Sequence, residues 1–101
     1  MTAYLIVRAE VDPSVKSPFD TWYQNEHLPD AFKAFEVISA KRGWSSVDPH
    51  VHIAFYEFPD LAAAEALMSS DIIREFIAEF DRHWAGKVVR TREVVAFSQK
   101  I

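Results

Sequence analysis

The residues of this chain that could do chemistry are concentrated in residues 17–30. There Phe19, Trp22, Tyr23, Glu26 and His27 follow the spacing of one helical stripe. An imidazole on such a stripe titrates near neutral pH and could act as a general base or acid on a small carbonyl compound or phenol. We therefore predict His27 as a catalytic residue and Trp22 and Tyr23 as ligand-binding residues. The alternative is structural, because a histidine near a helix C-terminus also stabilises the last carbonyl groups.

Further candidates lie on strand-like segments: Arg8, Arg42, Trp44, His52 and Tyr56. An arginine would bind a carboxylate or enolate oxygen, a tyrosine would donate to an oxyanion, and His52 could exchange a proton. We predict His52 and Tyr56 as catalytic residues that converge on one cavity with the ligand-binding residues Arg8, Arg42 and Trp44. The alternative is that the charged residues pair with glutamates at an interface and that the aromatic residues only pack.

Metal and cofactor signals are weak in this sequence. His50 and His52 have a spacing that some metal sites use, but two ligands do not make a site and no third is identifiable. No phosphate loop, dinucleotide fingerprint or serine nucleophile elbow is present. Arg90 and Arg92 on the last predicted strand are expected to balance Glu93 and other acids. We therefore predict no metal and no cofactor.

Length and composition indicate one folded domain over residues 1–101, since half of the residues are hydrophobic. The net charge of −4 and the lack of a basic block argue against nucleic-acid binding. No apolar run approaches the roughly 20 residues of a membrane span, and the N-terminus has no signal-peptide pattern. The absence of cysteine excludes disulfides and thiolate catalysis. We expect a cytoplasmic protein that binds neither nucleic acid nor membrane.

Two helical regions are predicted from capping signals and apolar spacing. The first begins with Ser17 as N-cap and reaches Pro29, which should end or kink it. The second begins with Asp60 as N-cap, breaks and is capped again at residues 69–71, and ends at Gly86.

Four segments have the composition and alternation of strands: residues 2–11, 37–47, 52–58 and 88–97. The order strand, helix, strand, strand, helix, strand predicts an α+β, ferredoxin-like fold. In that fold a four-stranded antiparallel sheet carries both helices on one face.

The other face of the predicted sheet has no helix to cover it. We expect it to carry a mostly apolar set: Tyr4, Ile6, Trp44, Ala54, Tyr56 and Phe58. Such a face is too apolar to be left in water, so we predict a homodimer that forms through this face. The assignment depends on strand register, because a slip of one residue at Gly43 would move Arg42 and Trp44 to the helix side.

Three motifs carry a resemblance to a known group of proteins. They are Phe19-Asp20-x-Trp22-Tyr23-x-x-Glu26-His27-Leu28-Pro29, then Ser39-Ala40-Lys41-Arg42-x-Trp44, and finally Tyr56-Glu57-Phe58. In these motifs the chain resembles the dimeric α/β-barrel superfamily, and within it small EthD-like and related uncharacterised bacterial proteins. The resemblance implies a ferredoxin-like protomer that dimerises through its open sheet face into a barrel. It also implies a cavity between that face and the first helix.

The chemistry of this superfamily is diverse. It includes cofactor-free monooxygenases, polyketide cyclases, lactone isomerases, haem-degrading enzymes and members with no known activity. His83 resembles the helix histidine of the haem-degrading branch, but the first strand lacks the asparagine that is usual there, so no haem is expected. The resemblance thus implies architecture rather than a reaction.

Two hypotheses of function follow. The first is a cofactor-independent enzyme that acts on a small apolar or aromatic substrate by proton transfer (isomerase, cyclase or lyase chemistry) or by oxygenation. The second is a non-catalytic dimer whose pocket holds a metabolite or is filled by its own side chains. An open pocket of roughly 300 Å³ or more favours the first hypothesis, and a filled one favours the second.

Overall fold

The computed structural model describes the whole chain, Met1–Ile101. Its four strands are β1 (Ala3–Val11), β2 (Ser39–Trp44), β3 (Val51–Phe58) and β4 (Val88–Ala96). They form one antiparallel sheet in the order β2-β3-β1-β4. With helices packed on one face, this is the ferredoxin-like α+β fold, and the predicted fold class is confirmed.

The first helical segment begins earlier than predicted. A 3-10 turn (Pro13–Val15) leads into α1 (Lys16–Trp22), a single π-helical turn (Tyr23–His27) and α2 (Leu28–Ala34). The Asp12 carboxylate caps the 3-10 turn by accepting a hydrogen bond from the N–H of Ser14 at 2.9 Å. Because the chain already turns at Asp12, Ser17 lies inside α1 and its predicted role as N-cap is wrong.

The π-helical turn lies directly before Pro29. Proline has no N–H, so the usual hydrogen bond to the carbonyl four residues earlier cannot form. Just before the proline, the N–H of Leu28 reaches the carbonyl of Tyr23, five residues back. This wider turn admits the proline ring, and the helix continues to Ala34. The helix therefore does not end at Pro29.

The second helical region has the predicted caps. It consists of α3 (Leu61–Met68) and α4 (Asp71–Trp84). The Asp60 carboxylate accepts from the N–H of Ala63 at 2.8 Å, and the Ser70 hydroxyl accepts from the N–H of Ile73 at 3.3 Å. Gly86 follows α4 with a φ of +83°, a conformation that favours glycine. None of the helices has the length and apolar sequence needed to cross a membrane.

Strand register decides which side chains face the helices. Leu5 on β1 lies opposite Tyr56 on β3, and Trp44 on β2 lies opposite His52. Directly opposed residues of antiparallel strands share a face, so these side chains all lie on the side of the buried Leu5. The prediction that Trp44, Ala54, Tyr56 and Phe58 occupy the open face is therefore wrong, since all four lie under the helices.

The open face of the sheet is still largely apolar in its centre. It carries Tyr4 and Ile6 from β1, Ile53 and Phe55 from β3, and Val95 from β4. All five are only half-buried, because no helix covers this face, and only Phe97 after β4 lies against Tyr4, with ring centroids 5.5 Å apart. Ionic side chains surround them: Arg8, Glu10, Lys41, Glu57 and Glu93.

The core lies between the other face and the helices, and Phe19 stands at its centre. Phe19 is fully buried and contacts six aromatic rings with centroid distances of 5.2 to 6.4 Å. These rings belong to Trp22, Tyr23, Trp44, His52, Phe80 and Trp84. The aromatic stripe of α1 thus joins α4 to the sheet and fixes the position of the π-helical turn.

Candidate functional site

A small, partly open cavity lies between the helix-covered face of the sheet and the helices. Its apolar wall is formed by Leu5, Val7, Phe35, Ile73, Phe76, Ile77 and Phe80. The space measures about 30 Å³, which is room for one or two water molecules. The cavity was expected between the open sheet face and the first helix. That expectation is wrong, because the helices cover the face that carries the candidate residues.

Two tyrosine hydroxyls form the polar centre of the cavity wall. Tyr23 comes from the π-helical turn and Tyr56 from β3, and their hydroxyl oxygens lie 3.0 Å apart. Both side chains are almost fully buried. Burial raises the pKa of Tyr23 to about 12 and the pKa of Tyr56 well above its usual value. Both hydroxyls are therefore protonated at neutral pH and can donate.

His27 ends the π-helical turn and also lines the cavity. Its ring stacks on Trp22 with centroids 4.6 Å apart and an interplanar angle of 23°. It also contacts the Tyr23 ring edge-on at 4.7 Å. Burial, and to a lesser degree the positive charge of Arg90, lowers the pKa of His27 to about 4. The imidazole is therefore neutral at neutral pH and can accept a proton.

Arg42, Trp44 and His52 form a network beside the cavity rather than in its wall. The Asp20 carboxylate on α1 accepts from Arg42 Nη1 at 2.7 Å and from Trp44 Nε1 at 2.9 Å. These hydrogen bonds, Arg42 first and Trp44 second, lower the pKa of Asp20. Because a guanidinium only donates, its 3.4 Å contact with His52 Nε2 makes that nitrogen the acceptor.

His52 connects this network to the cavity. Its side chain is fully buried, with its ring centroid 4.5 Å from that of Tyr23. Burial and the nearby charge of Arg42 lower the pKa of His52 to about 4. The structure thus brings Tyr23, His27 and Tyr56 together in the cavity wall. It places Trp22, Arg42, Trp44 and His52 in a supporting layer behind them.

Arg8 does not join the other predicted residues. It lies on the open face of the sheet, opposite Ile53, and its side chain is half exposed beside Glu10. The predicted convergence of Arg8 with Arg42, His52 and Tyr56 is wrong, because neighbouring positions on β1 point to opposite faces. Arg8 instead borders a groove of about 370 Å³ on the open face.

Two cavity residues were missed by the interpretation of the sequence. Arg90 and Arg92 on β4 lie opposite Ala9 and Val7, and both line the cavity. The signal was present in the alternation of β4, because Val88 and Val94 share their face with the two arginines. Charged residues at such positions are usually assigned to the solvent side, and for this reason the sequence predicts only a charge-balancing role for the two arginines.

The charge in the cavity wall is positive. The wall contains two arginines and one neutral histidine, and it contains neither aspartate nor glutamate. No group of three or more His, Asp or Glu side chains in the chain is placed to hold a metal ion. The arrangement is suited to a small molecule with an electron-rich or anionic oxygen, in surroundings that are mostly aromatic.

Comparisons with known proteins give a fold but no sequence family. No protein-family model matches the chain, and no curated protein is similar to it in sequence.

Among solved structures, an EthD-family protein from Bacillus halodurans is 18% identical, with a TM-score of 0.73 over 96% of this chain and 99% of that one. HapK from Hahella chejuensis is 19% identical, with a TM-score of 0.70 over 97% and 92%. A Caulobacter crescentus protein, provisionally described as an antibiotic biosynthesis monooxygenase, is 16% identical, with a TM-score of 0.65 over 97% and 91%. The chain therefore has the ferredoxin-like fold of EthD and antibiotic biosynthesis monooxygenase-like proteins, and the predicted resemblance is confirmed at the level of the fold.

Proposed function

We propose that this protein is a homodimer in which each protomer binds a small apolar or aromatic molecule in the inner cavity. It acts on that molecule without a cofactor, by proton transfer or by oxygenation. The observation that carries the proposal is the meeting of Tyr23, His27 and Tyr56 in the wall of an otherwise apolar cavity. A few convergent polar groups with shifted pKa values in an apolar pocket are typical of small-molecule sites. The π-helical turn, a feature frequent at functional sites, supplies two of the three.

In this proposal His27 is the general base. Its lowered pKa leaves the imidazole free to accept a proton at neutral pH, but it also makes the base weak. Proton transfer is effective only where the new anion stays beside the imidazolium, because the pair then stabilises both charges in a site of low polarity. Suitable substrates are therefore a phenol, an enol or a C–H group next to a carbonyl.

The two tyrosines stabilise the charge that develops. When two hydroxyls meet at 3.0 Å, one donates and the other accepts, so the pair keeps one O–H free. That O–H can donate to an oxyanion in the cavity, and the raised pKa values keep both tyrosines protonated while it does so.

The supporting layer acts through these residues. Trp22 stacks on His27 and fixes the plane of its ring. His52 and Arg42 contact Tyr23, with the Arg42 guanidinium 5.6 Å from the centre of the tyrosine ring. We therefore assign Trp22, Arg42 and His52 as positioning residues rather than as groups that touch the substrate, and Trp44 helps to hold Arg42 through Asp20.

Ligand binding requires the cavity to widen. Pockets that bind small molecules measure roughly 300 Å³ or more, and this cavity measures about 30 Å³. The side chains best placed to move are Phe76 and Ile77 on α4, because both line the cavity and are only half-buried. Rotation of these two side chains would open the space toward solvent without moving the sheet.

Dimerisation in this proposal occurs through the open sheet face. The apolar centre of that face, around Ile6 and Phe55, lacks cover from any element of its own chain. A second copy can supply that cover, and two-fold dimers are the commonest oligomers.

Phe55→Asp is expected to abolish the dimer. Light scattering of the wild-type protein should give about twice the chain mass of 11.6 kDa, and the variant should give the chain mass itself. A buried charge opposite its own symmetry copy is strongly unfavourable, and this is the reason for the expected change. Phe32→Asp is the matched control, because Phe32 is an exposed aromatic residue on α2. A wild-type protein that is monomeric at all concentrations tested would refute the dimer.

A neutral aromatic probe tests the cavity directly. In an NMR titration with nitrobenzene, we expect shift changes at the amides of Tyr23, His27 and Tyr56. Ile77→Trp should weaken this binding at least about 10-fold, because the larger side chain fills the space beside α4. The matched control is Ile72→Trp, at an exposed position of the same helix, which should bind like the wild type.

A second candidate function is a non-catalytic dimer whose interior is filled by its own side chains. The small volume of the cavity is the observation that favours it. In that case nitrobenzene would leave the chemical shifts of the cavity amides unchanged, or would change them equally in the wild type and in Ile77→Trp. Either result would replace the proposed function by this candidate.

A further inference from the structure

Arg90 has an unusual position for a charged residue. It sits on the helix-covered face of β4, and its side chain is only 11% exposed. The guanidinium carbon lies 3.9 Å from the centre of the Phe80 ring, in a cation–π contact. Burial and the neighbouring charge of Arg92 lower the pKa of Arg90, so the surroundings disfavour its charge. Proteins usually offset the cost of burying a charged arginine with groups that accept hydrogen bonds from its guanidinium.

Only part of the guanidinium has a partner. Nη2 lies 3.4 Å from the Asp81 carboxylate on α4, which is itself largely exposed. Nη1 is shielded from solvent and makes no hydrogen bond to any protein atom. A guanidinium presents its donors in a rigid planar fork. Arg90 is among the residues that line the cavity, and Nη1 is its shielded nitrogen without a protein partner.

We propose that Arg90 anchors an anionic oxygen of the ligand. The ligand of the cavity is then a small aromatic or conjugated molecule with a carboxylate, phenolate or enolate oxygen on Nη1 of Arg90. This inference rests on the proposed function, and it adds the class of ligand. It also gives a role to a cavity donor that the proposed chemistry of Tyr23, His27 and Tyr56 leaves unused.

The rest of the wall agrees with this class of ligand. Arg92 adds a second positive charge, and no carboxylate lines the cavity to compete for Nη1. The rings of Phe35 and Phe80 provide flat apolar surfaces for a ring or a conjugated chain. A proton that leaves such a ligand has His27 as its acceptor, and the anion that remains has Arg90 as its partner.

Benzoate and nitrobenzene are the probes that test the inference, because they have nearly the same size and shape and differ in charge. The wild-type protein should bind benzoate more tightly than nitrobenzene. Arg90→Gln should weaken benzoate binding about 10- to 100-fold, since a charge-assisted hydrogen bond is lost, and should change nitrobenzene binding less than about 3-fold. Arg90→Lys keeps the charge without the fork and should recover part of the benzoate affinity. Arg74→Gln, at an exposed arginine of α4, is the control and should bind both probes like the wild type.

The outcomes separate this inference from the proposed function. If both probes bind the wild type equally and Arg90→Gln affects neither, the cavity binds rings, but Arg90 serves only to pair with Asp81 and the inference is wrong. If neither probe changes the chemical shifts of the cavity amides, both proposals are wrong.

Thermal unfolding of the variants shows whether they are folded. If Arg90→Gln does not fold, the comparison of Arg90→Lys with the wild type decides, because a merely structural arginine would not change the preference for benzoate over nitrobenzene.

Discussion

Phe19→Ala is expected to lower the free energy of unfolding by about 3–5 kcal/mol. The Phe19 side chain is completely buried and stands between α1, the sheet and α4. Its removal takes away the edge-to-face contacts with Trp84 at 5.3 Å and His52 at 5.2 Å, and it leaves a space that the surrounding rings are too rigid to fill. Since small domains have a total stability of about 5–15 kcal/mol, the variant should be close to unfolding at room temperature.

Urea unfolding followed by tryptophan fluorescence measures this effect. The protein concentration should be the same for all variants, because dimerisation would add to apparent stability. Phe32→Ala is the matched control, as it makes the same chemical change at a residue that is 47% exposed. We expect it to cost less than about 1 kcal/mol. A loss for Phe19→Ala no larger than that of the control would contradict the central place of this ring in the core.

Acid is expected to destabilise the protein between pH 6.5 and 4. Burial lowers the pKa of both His27 and His52 to about 4 in the folded protein, whereas a histidine in the unfolded chain titrates near 6.5. The unfolded chain therefore binds more protons in this window, and the stability present above pH 6.5 is lost as the pH falls toward 4. Each histidine contributes a loss of roughly 2–3 kcal/mol, at about 1.4 kcal/mol per pH unit of difference.

The variant His52→Phe isolates one half of this effect. Its unfolding free energy should fall about half as far as that of the wild type between pH 7 and pH 4. The change with pH is the decisive quantity, because loss of the contact with Arg42 shifts the stability at every pH alike. The low pKa of Asp20 affects stability mainly below about pH 5, and Asp20 is present in both proteins, so it does not account for a difference between their slopes. Equal slopes for the wild type and the variant would show that His52 is not buried in its neutral form.

The element order could be predicted from sequence because caps and alternation are local signals. Asp60, Ser70 and Gly86 cap α3 and α4 as expected. The end of the first helix could not be predicted in this way. A proline normally stops a helix, and no residue pattern marked the π-helical turn that carries the helix past Pro29.

The faces of the strands were harder to predict than the strands themselves. Both faces of β3 are rich in apolar residues, so alternation alone could not tell whether Tyr56 or Phe55 points to the helices. The pairing of Tyr56 with Leu5 of β1 shows that Tyr56 points to the helices and Phe55 to the open face. The same ambiguity hid the role of Arg90, since an arginine on a terminal strand looks like a solvent-facing residue until the register places it against the core.

A crystal structure of the protein soaked with iodobenzene shows whether the cavity accepts a small molecule. The iodine atom gives an anomalous signal, and the probe is a neutral ring that needs no interaction with Arg90. We expect an iodine peak within the protomer, between Tyr56 on the sheet and the backbone of α4, with the side chains at the cavity mouth (Phe76 and Ile77) turned outward. Iodine peaks only on the outer surface, with the cavity still closed around its own side chains, would contradict the claim that this cavity binds a small molecule.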